Sequence, residues 1–175
     1  VGIDTVVYTL ARSNYSIAKT SAGFTVSSSA DGVDTVSNVE RLQFADRNLA
    51  LDLDGNAGIT AKILGAVFGA PSVTNQAYVG IGLSYLDAGM SYSDLLLLAL
   101  NAKLGAGFSD AAEVNLLYQN LVGVPPSTNE LNFYVGTLTS GQHTQASLAL
   151  MAADLDLNAI NVNLLGLQQT GIEFA

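Results

Sequence analysis

Apolar and polar residues alternate in short runs over the first fifty residues of the chain. These runs are rich in valine, threonine, serine and tyrosine, and their period of two is typical of β-strands. Residues suited to turns, such as Asn14, Ala22 and Gly32, lie between them. The pattern predicts a β segment over residues 1–51 with about five strands, near 5–9, 15–18, 23–27, 41–44 and 48–51.

From Gly58 onward the apolar residues recur at intervals of three and four, the spacing of amphipathic helices. Ser127 and Glu130 fit a capping box, and a glycine follows most of the expected helix ends. We expect seven helices, near 59–68, 75–87, 92–103, 110–122, 128–139, 144–153 and 157–165. The predicted fold class is therefore α+β, with a β segment at 1–51, an acidic, glycine-rich junction at 52–58, a helical repeat domain at 59–166 and a tail at 167–175.

The helical half repeats itself with a period of a little over fifty residues. Residues 69–72 resemble 123–126 in their glycine and proline, and residues 96–100 resemble 148–152 in their leucine spacing. Two copies of one helical unit can bury their apolar faces against each other. We therefore expect the two copies to share one hydrophobic core.

Large apolar side chains at helical spacing are interpreted as core residues of this domain. Among the aromatic residues they are Tyr78, Tyr85, Tyr118, Phe133 and Tyr134. The leucine run at 95–98 is likewise interpreted as a buried helix and not as a ligand pocket.

The charge balance limits the possible partners. The chain has six basic and fifteen acidic residues, which gives a net charge of −9. No lysine or arginine follows Lys103. Such a chain repels nucleic acid and anionic lipid, so we expect it to bind neither. The longest uncharged stretch, 63–86, contains a proline and several polar residues, and we therefore expect no insertion into a membrane.

The best candidate for a metal site is the junction between the two halves. Asp52, Asp54 and Asn56 place oxygen ligands at alternate positions, as at the start of an EF-hand calcium loop. The positions of the glycine and the closing acid of such a loop hold Ala57 and Ile63, so a closing ligand has to come from elsewhere. The alternative interpretation is a polar turn between the last strand and the first helix.

Two further aspartates are candidate calcium ligands. The motif Gly-Ile-Asp-Thr-Val at residues 2–6 recurs as Gly-Val-Asp-Thr-Val at 32–36. Asp4 and Asp34 therefore each lie two residues after a glycine. Glycine permits a tight corner, and the aspartate can direct an oxygen into it. An aspartate that only stabilises its own turn is the competing interpretation, and for Asp34 it is the favoured one.

The chain offers little that could catalyse a reaction. It has no cysteine and a single histidine, His143, so neither a thiolate nucleophile nor a zinc site can be assembled. Asp154 and Asp156 are two residues apart and point to different faces of a helix. We therefore expect a protein that is not an enzyme.

Two segments resemble known families. Residues 34–46, DTVSNVERLQFAD, resemble the segment that follows the repeats of RTX, or haemolysin-type calcium-binding, proteins. Residues 116–125, LLYQNLVGVP, are similar to the signature of the DUF4214 helical repeat. Residues 63–71 resemble the same signature more weakly. Val124 stands where that signature usually has an arginine.

The resemblance implies a role outside the cell. Such regions lie at the C-termini of bacterial proteins exported by type I secretion, and the tail at 167–175 resembles the uncleaved signal of that pathway. The implied function is a non-catalytic module that supports type I secretion and the calcium-assisted folding of an upstream passenger, with the secretion machinery as partner and Ca²⁺ as cofactor. The alternative is a structural or adhesive, S-layer-like protein at the cell surface, whose helical domain mediates self-association or binds a surface partner.

Overall fold

Short strands form two small sheets in the computed structural model, which describes residues 2–175. They are β1 (Thr5–Val7), β2 (Ser16–Thr20), β3 (Gly23–Ser28), β4 (Gly32–Val36), β5 (Arg41–Gln43), β6 (Asn48–Ala50) and β7 (Ile172–Phe174). One sheet has the order β1-β5-β6-β7, with β1 parallel to β5 and the other pairs antiparallel. The other is an antiparallel meander, β2-β3-β4.

Two of these strands are absent from the sequence prediction. β4 occupies 32–36, where the repeated phrase predicts a glycine-containing turn, and there Asp34 pairs with Val26 of β3. β7 lies in the predicted tail and pairs with β6. A strand of three residues has too little alternation to be recognised, and it forms here because β6 presents an edge to it.

An aromatic cluster joins the two sheets. The rings of Tyr8 and Phe44 are stacked with their centroids 5.5 Å apart, and Tyr15 approaches Phe44 at 5.2 Å. Leu42 of the first sheet and Val26 of the second are buried in the same cluster. The β segment therefore has a hydrophobic core of its own.

Eight α-helices account for most of the rest of the described chain. They are α1 (Asn56–Ile63), α2 (Gln76–Asp87), α3 (Tyr92–Leu104), α4 (Asp110–Val122), α5 (Thr128–Thr139), α6 (Gln145–Ala153), α7 (Asp156–Asn161) and α8 (Leu164–Thr170). A π-helical turn, Leu64–Phe68, extends α1. The single helix predicted at 157–165 is two helices, because Asn163 adopts a left-handed conformation with φ of 53°. The predicted α+β class is confirmed.

Polar side chains cap the beginnings of four helices. Ser91, Ser109, Ser127 and Thr144 each accept a hydrogen bond from a backbone N–H in the first turn of α3, α4, α5 and α6 respectively. Ser127 and Glu130 form the predicted capping box. These bonds satisfy donors that the helix itself leaves without a partner.

The internal repeat is visible in the helices. Helices that begin at residues 56, 76 and 92 are followed by helices that begin at 110, 128 and 145. The first copy, α1–α3, and the second, α4–α6, contribute to one core, in which Leu96 and Leu100 lie with Leu117 and Ala149. The predicted core shared between the copies is therefore confirmed.

The last residues of the chain join the sheet to the helices. Ile172 is buried among residues of α1 and α2. The carboxylate of Glu173 accepts hydrogen bonds from Arg47 at 2.8 Å and from Gln76, at the start of α2, at 2.9 Å. A side chain at Gly80 would collide with the carbonyl oxygen of Ala175, so this glycine lets α2 approach the end of the chain. Residues 167–175 thus lie within the fold as the end of α8 and as β7.

None of the helices in the described range, 2–175, is long and apolar enough to cross a membrane.

Candidate functional site

The junction predicted to bind calcium surrounds a buried arginine. Arg41 of β5, which is 5 % exposed, forms an ion pair with Asp52 through Nη1. Its Nη2 donates to both carboxylate oxygens of Asp87, at the end of α2, at 2.9 Å. Asn56 completes the arrangement, because its backbone N–H donates to Asp52 Oδ2 at 3.0 Å and its side-chain amide donates to Asp87 Oδ1 at 2.8 Å.

This network has a structural role. Two carboxylates neutralise one guanidinium that would be costly to bury alone. Burial raises the pKa of Asp52, and the neighbouring charge of Arg41 acts in the opposite direction. Asp52 and Asn56 are brought together as the sequence predicts, but around a cation that the protein itself supplies.

The other three predicted calcium ligands lie apart from this network. Asp54 is exposed and its side chain forms no hydrogen bond within the described range. Asp4 is exposed, and its backbone carbonyl accepts the N–H groups of Glu40 and Arg41. Asp34 accepts a hydrogen bond from the hydroxyl of Tyr8 at 3.3 Å.

No three side chains of His, Cys, Asp or Glu are grouped as metal ligands anywhere between residues 2 and 175. The five predicted ligands therefore do not form one preassembled cage. Calcium binding stays a prediction.

Each helical repeat carries an apolar groove between its three helices. Groove 1, in the first repeat, has a volume of about 270 Å³ and is lined mainly by Thr60, Leu64, Phe68, Gly82, Leu98 and Ala102. Groove 2, in the second repeat, has a volume of about 100 Å³ and is lined mainly by Val114, Tyr118, Val122, Tyr134, Met151 and Leu155. The first five members of the two sets occupy corresponding positions of the repeat, in the order given, whereas Ala102 lies within α3 and Leu155 follows the end of α6.

Two of these corresponding positions differ in chemistry between the grooves. Gly82 in groove 1 corresponds to Tyr134 in groove 2, so a ring lines groove 2 where groove 1 has no side chain. Thr60 in groove 1 corresponds to Val114 in groove 2, so the hydroxyl of the first repeat is replaced by a methyl group in the second.

The Thr60 hydroxyl is buried and has no hydrogen-bond partner. Thr60 is 1 % exposed, and no described group pairs with its Oγ1. A Cβ at Gly82 would lie 2.6 Å from Thr60 Cγ2, so the glycine makes room for this side chain. An unpaired buried hydroxyl costs about 1–3 kcal/mol, which makes it a feature that needs an explanation.

The sequence prediction that the leucine run and the aromatic residues are core is wrong at several positions. Leu95 and Leu96 are buried as expected, but Leu98 is exposed and lies at the mouth of groove 1. Tyr78 is exposed at the rim of the same groove, and Phe133 is 65 % exposed on α5. Helical spacing places residues on a face, but it does not show whether another element covers that face.

A second buried polar group lies in α4. Glu113 is fully buried, and neither of its carboxylate oxygens has a partner among the described residues. Burial, and to a smaller degree the charge of Asp110, raise the pKa of Glu113 to about 8. The N-cap of this helix is Ser109, and Glu113 takes no part in it.

Comparison with known protein families locates one domain in the helical half. Residues 99–154 match the family described as "Domain of unknown function (DUF4214)". This stretch is a DUF4214 domain. It begins in the last turn and a half of α3 and includes all of α4, α5 and α6. No curated protein and no solved structure matches the chain.

The DUF4214 domain contains most of groove 2 and the buried Glu113. The resemblance of residues 116–125 to the DUF4214 signature is thereby confirmed. The resemblance of residues 34–46 to RTX-type proteins has no counterpart in these comparisons and stays a prediction.

Glu113 makes the stability of the DUF4214 domain dependent on pH. Its pKa is about 8 in the folded protein and about 4.5 when exposed, so the folded state binds more protons than the unfolded state between these values. The free energy of unfolding should therefore decrease as the pH rises through this window, by about 1.4 kcal/mol for each unit between the two pKa values. Glu113→Gln keeps the shape of the neutral acid and should abolish most of this decrease.

Urea denaturation at several values between pH 5 and pH 8.5 measures the effect. Asp156→Asn, which removes an exposed acid from the start of α7, serves as the matched control and should retain the slope of the original chain. Equal slopes for Glu113→Gln and the original chain would contradict the assignment.

Proposed function

We propose that the chain is a non-catalytic module of a secreted bacterial protein that supports type I secretion and the calcium-assisted folding of an upstream passenger. The observation that carries this proposal is the position of the last residues. β7 completes the first sheet, and Glu173 bonds to both Arg47 and Gln76. The sheet and the helices can therefore reach their final arrangement only when the end of the chain is in place.

The charge of the chain supports the calcium part of the proposal. The chain has fifteen acidic residues and only six basic ones. The excess negative charges repel one another, and this repulsion opposes compaction. Calcium is scarce inside cells and reaches about millimolar levels outside them, where weak extracellular sites bind it. A cation bound only by the folded chain adds to its stability.

Calcium should bind to the chelator-treated chain and raise its melting temperature, as measured by titration calorimetry together with a thermal melt. The informative substitution is Asp54→Asn, because Asp54 is exposed and forms no side-chain hydrogen bond. A substitution of Asp52 would also break its ion pair with Arg41. We expect Asp54→Asn to weaken binding about tenfold, since ligand charge sets calcium affinity. Asp156→Asn is the control with the same loss of charge.

Absence of heat and of any change in melting temperature at millimolar calcium would contradict the calcium part of the proposal. Equal calcium affinity of Asp54→Asn and the original chain would show that Asp54 is not a calcium ligand.

Export tests the secretion part. A reporter fused ahead of the chain should leave cells that carry a type I secretion system, and deletion of residues 150–175 should abolish this export. The deletion also removes β7, so a folding control is needed. Leu96→Ala removes a buried side chain outside the deleted segment and should destabilise the fold by about 2–5 kcal/mol while the tail stays unchanged.

If the tail acts as a signal, the Leu96→Ala fusion should still be exported, since such a chain leaves the cell before it folds. Export of the truncated fusion would contradict the signal. Loss of export with both variants would show that folding, and not a signal, controls release.

A second candidate function, self-association at the cell surface, is favoured by α5. This helix has no buried residue, although α2, its counterpart in the first repeat, buries Val79 and Leu83. In repeat proteins the terminal units need a polar outer face for solubility, so an apolar face that stays uncovered on such a unit favours a binding partner. A second copy of this chain is the occupant that this candidate function requires.

Phe133→Ser should lower the fraction of dimer or larger species, because Phe133 is the most exposed large hydrophobic side chain of α5. Sedimentation at several protein concentrations measures this fraction. Val33→Ser, an equally exposed apolar residue on β4, is the control and should have no effect. A chain that is monomeric at all concentrations would rule out self-association through α5.

A further inference from the structure

Groove 2 combines exposed apolar side chains with negative charge that the chain does not neutralise. Val122, Met151, Leu155 and Leu157 line it and are between 40 % and 46 % exposed. Contiguous apolar surface with a polar rim marks interaction sites in proteins. We propose that groove 2 binds a basic peptide segment of another protein, with one aliphatic side chain in the groove and lysines or arginines beside the surrounding carboxylates.

The lining of the groove sets the anchor of the peptide. No charged residue lines it, and its only polar side-chain groups are the phenols of Tyr118 and Tyr134. Its volume is about 100 Å³. An apolar cavity of about 150 Å³ holds benzene, so groove 2 accommodates an aliphatic side chain such as leucine and is too small for a tryptophan ring.

Two carboxylates lie beside the lining residues. Glu130 accepts a hydrogen bond from the hydroxyl of Tyr118, which lines the groove. Hydrogen bonds from the N-cap of α5 and from Tyr118 lower the pKa of Glu130, so this carboxylate is ionised at neutral pH. Asp156 lies between Leu155 and Leu157, which both line the groove, and it is exposed without a side-chain hydrogen bond in the described range.

The chain supplies little positive charge to this region. Lys62 of the first repeat pairs with Asp154 at 2.8 Å. Glu130 and Asp156 form no ion pair with any described residue. Because a partner of opposite charge is steered towards such a surface and a partner of like charge is rejected, the carboxylates favour a cationic occupant.

The spacing of the charges favours a peptide over a metal ion. No three acidic side chains are grouped as metal ligands among residues 2–175. A small cation needs several oxygen ligands that converge on one point. Carboxylates that lie apart along an apolar groove match instead the separated charges of a chain segment.

A second copy of this chain is a poor occupant. Its closest basic residues, Arg41 and Arg47, are six positions apart in the sequence, and both are already in ion pairs. It would also bring a net charge of −9 to an acidic surface. Phe133, which carries the candidate self-association of α5, does not line groove 2. The occupant is therefore a different protein, and the surface is distinct from the face of α5.

Groove 1 is an internal comparison with the opposite charge. It is also apolar, but the ammonium of Lys103 lies 5.8 Å from the ring centroid of Phe68, which lines this groove. A positive charge in this place repels a basic peptide. We therefore expect the peptide to bind groove 2 and not groove 1.

Three labelled peptides test the chemistry of the occupant. The first has two leucines in its middle and a pair of lysines at each end, the second has glutamates in place of the lysines, and the third has serines in place of the leucines. In fluorescence anisotropy titrations at low salt, the first should bind at least about tenfold more tightly than either of the others, since like charges are rejected and a buried leucine supplies the anchor.

Met151→Ser tests the location. Met151 and its counterpart in groove 1, Leu98, are each 40 % exposed, so both can become serine with little risk to the core. Met151→Ser should weaken the binding of the lysine peptide about fivefold or more, because apolar contact is lost, whereas Leu98→Ser should leave it unchanged. Phe133→Ser should also leave it unchanged.

Asp156→Asn tests the charge. It should weaken the lysine peptide about two- to fivefold at low salt, as expected for one exposed charge pair, and the difference should vanish at high salt. Asp54→Asn removes an equally exposed acid from the junction and should have no effect.

Four results would overturn the proposal. They are no binding of the lysine peptide below about 1 mM, which is weaker than a specific peptide site allows, equal binding of the glutamate peptide, unchanged binding by Met151→Ser, and an equal loss with Leu98→Ser. Sedimentation adds a fifth: if Met151→Ser lowers the fraction of dimer, a second copy occupies groove 2.

Discussion

The ion pairs of one buried guanidinium connect the parts of this structure. Arg41 lies in an interior strand of the first sheet and pairs with Asp52, in the junction, and with Asp87, at the end of α2. The ring of Phe174 in β7 lies over the same guanidinium, 5.9 Å from its centre. A buried charge that loses one partner destabilises a fold by about 3–5 kcal/mol, so the sheet, the junction, the helices and the end of the chain depend on the same group.

This arrangement changes the interpretation of the acidic junction. Spacing alone suggests that Asp52 and Asn56 bind a metal ion. In the structure the carboxylate of Asp52 accepts a hydrogen bond from Arg41, and the side-chain amide of Asn56 donates one to Asp87. An arginine from a neighbouring strand meets the same electrostatic need as a bound cation, and it does so without depending on the ion concentration outside the chain. Calcium would then act on acids outside the network, of which Asp54 is the nearest in sequence.

The helical repeat shows how one scaffold carries two different surfaces. Both copies use polar N-caps and a shared core, and these features require only that the apolar residues recur at the right spacing. The grooves between the helices differ in lining residues such as Gly82 and Tyr134, neither of which belongs to the shared hydrophobic core. In this chain groove 1 is the larger of the two.

The sequence by itself determined the elements and their class. Alternation of period two, apolar spacing of three and four, and the caps at Ser127 and Glu130 are local features, so the division into strands and helices and the internal repeat could be predicted from them. The tertiary structure alone decided the partner of Asp52, the pairing of β7 with β6, the exposure of Leu98 and the burial of the Thr60 hydroxyl without a partner. Each of these depends on residues that are distant in the sequence, and no local pattern records which of them become neighbours.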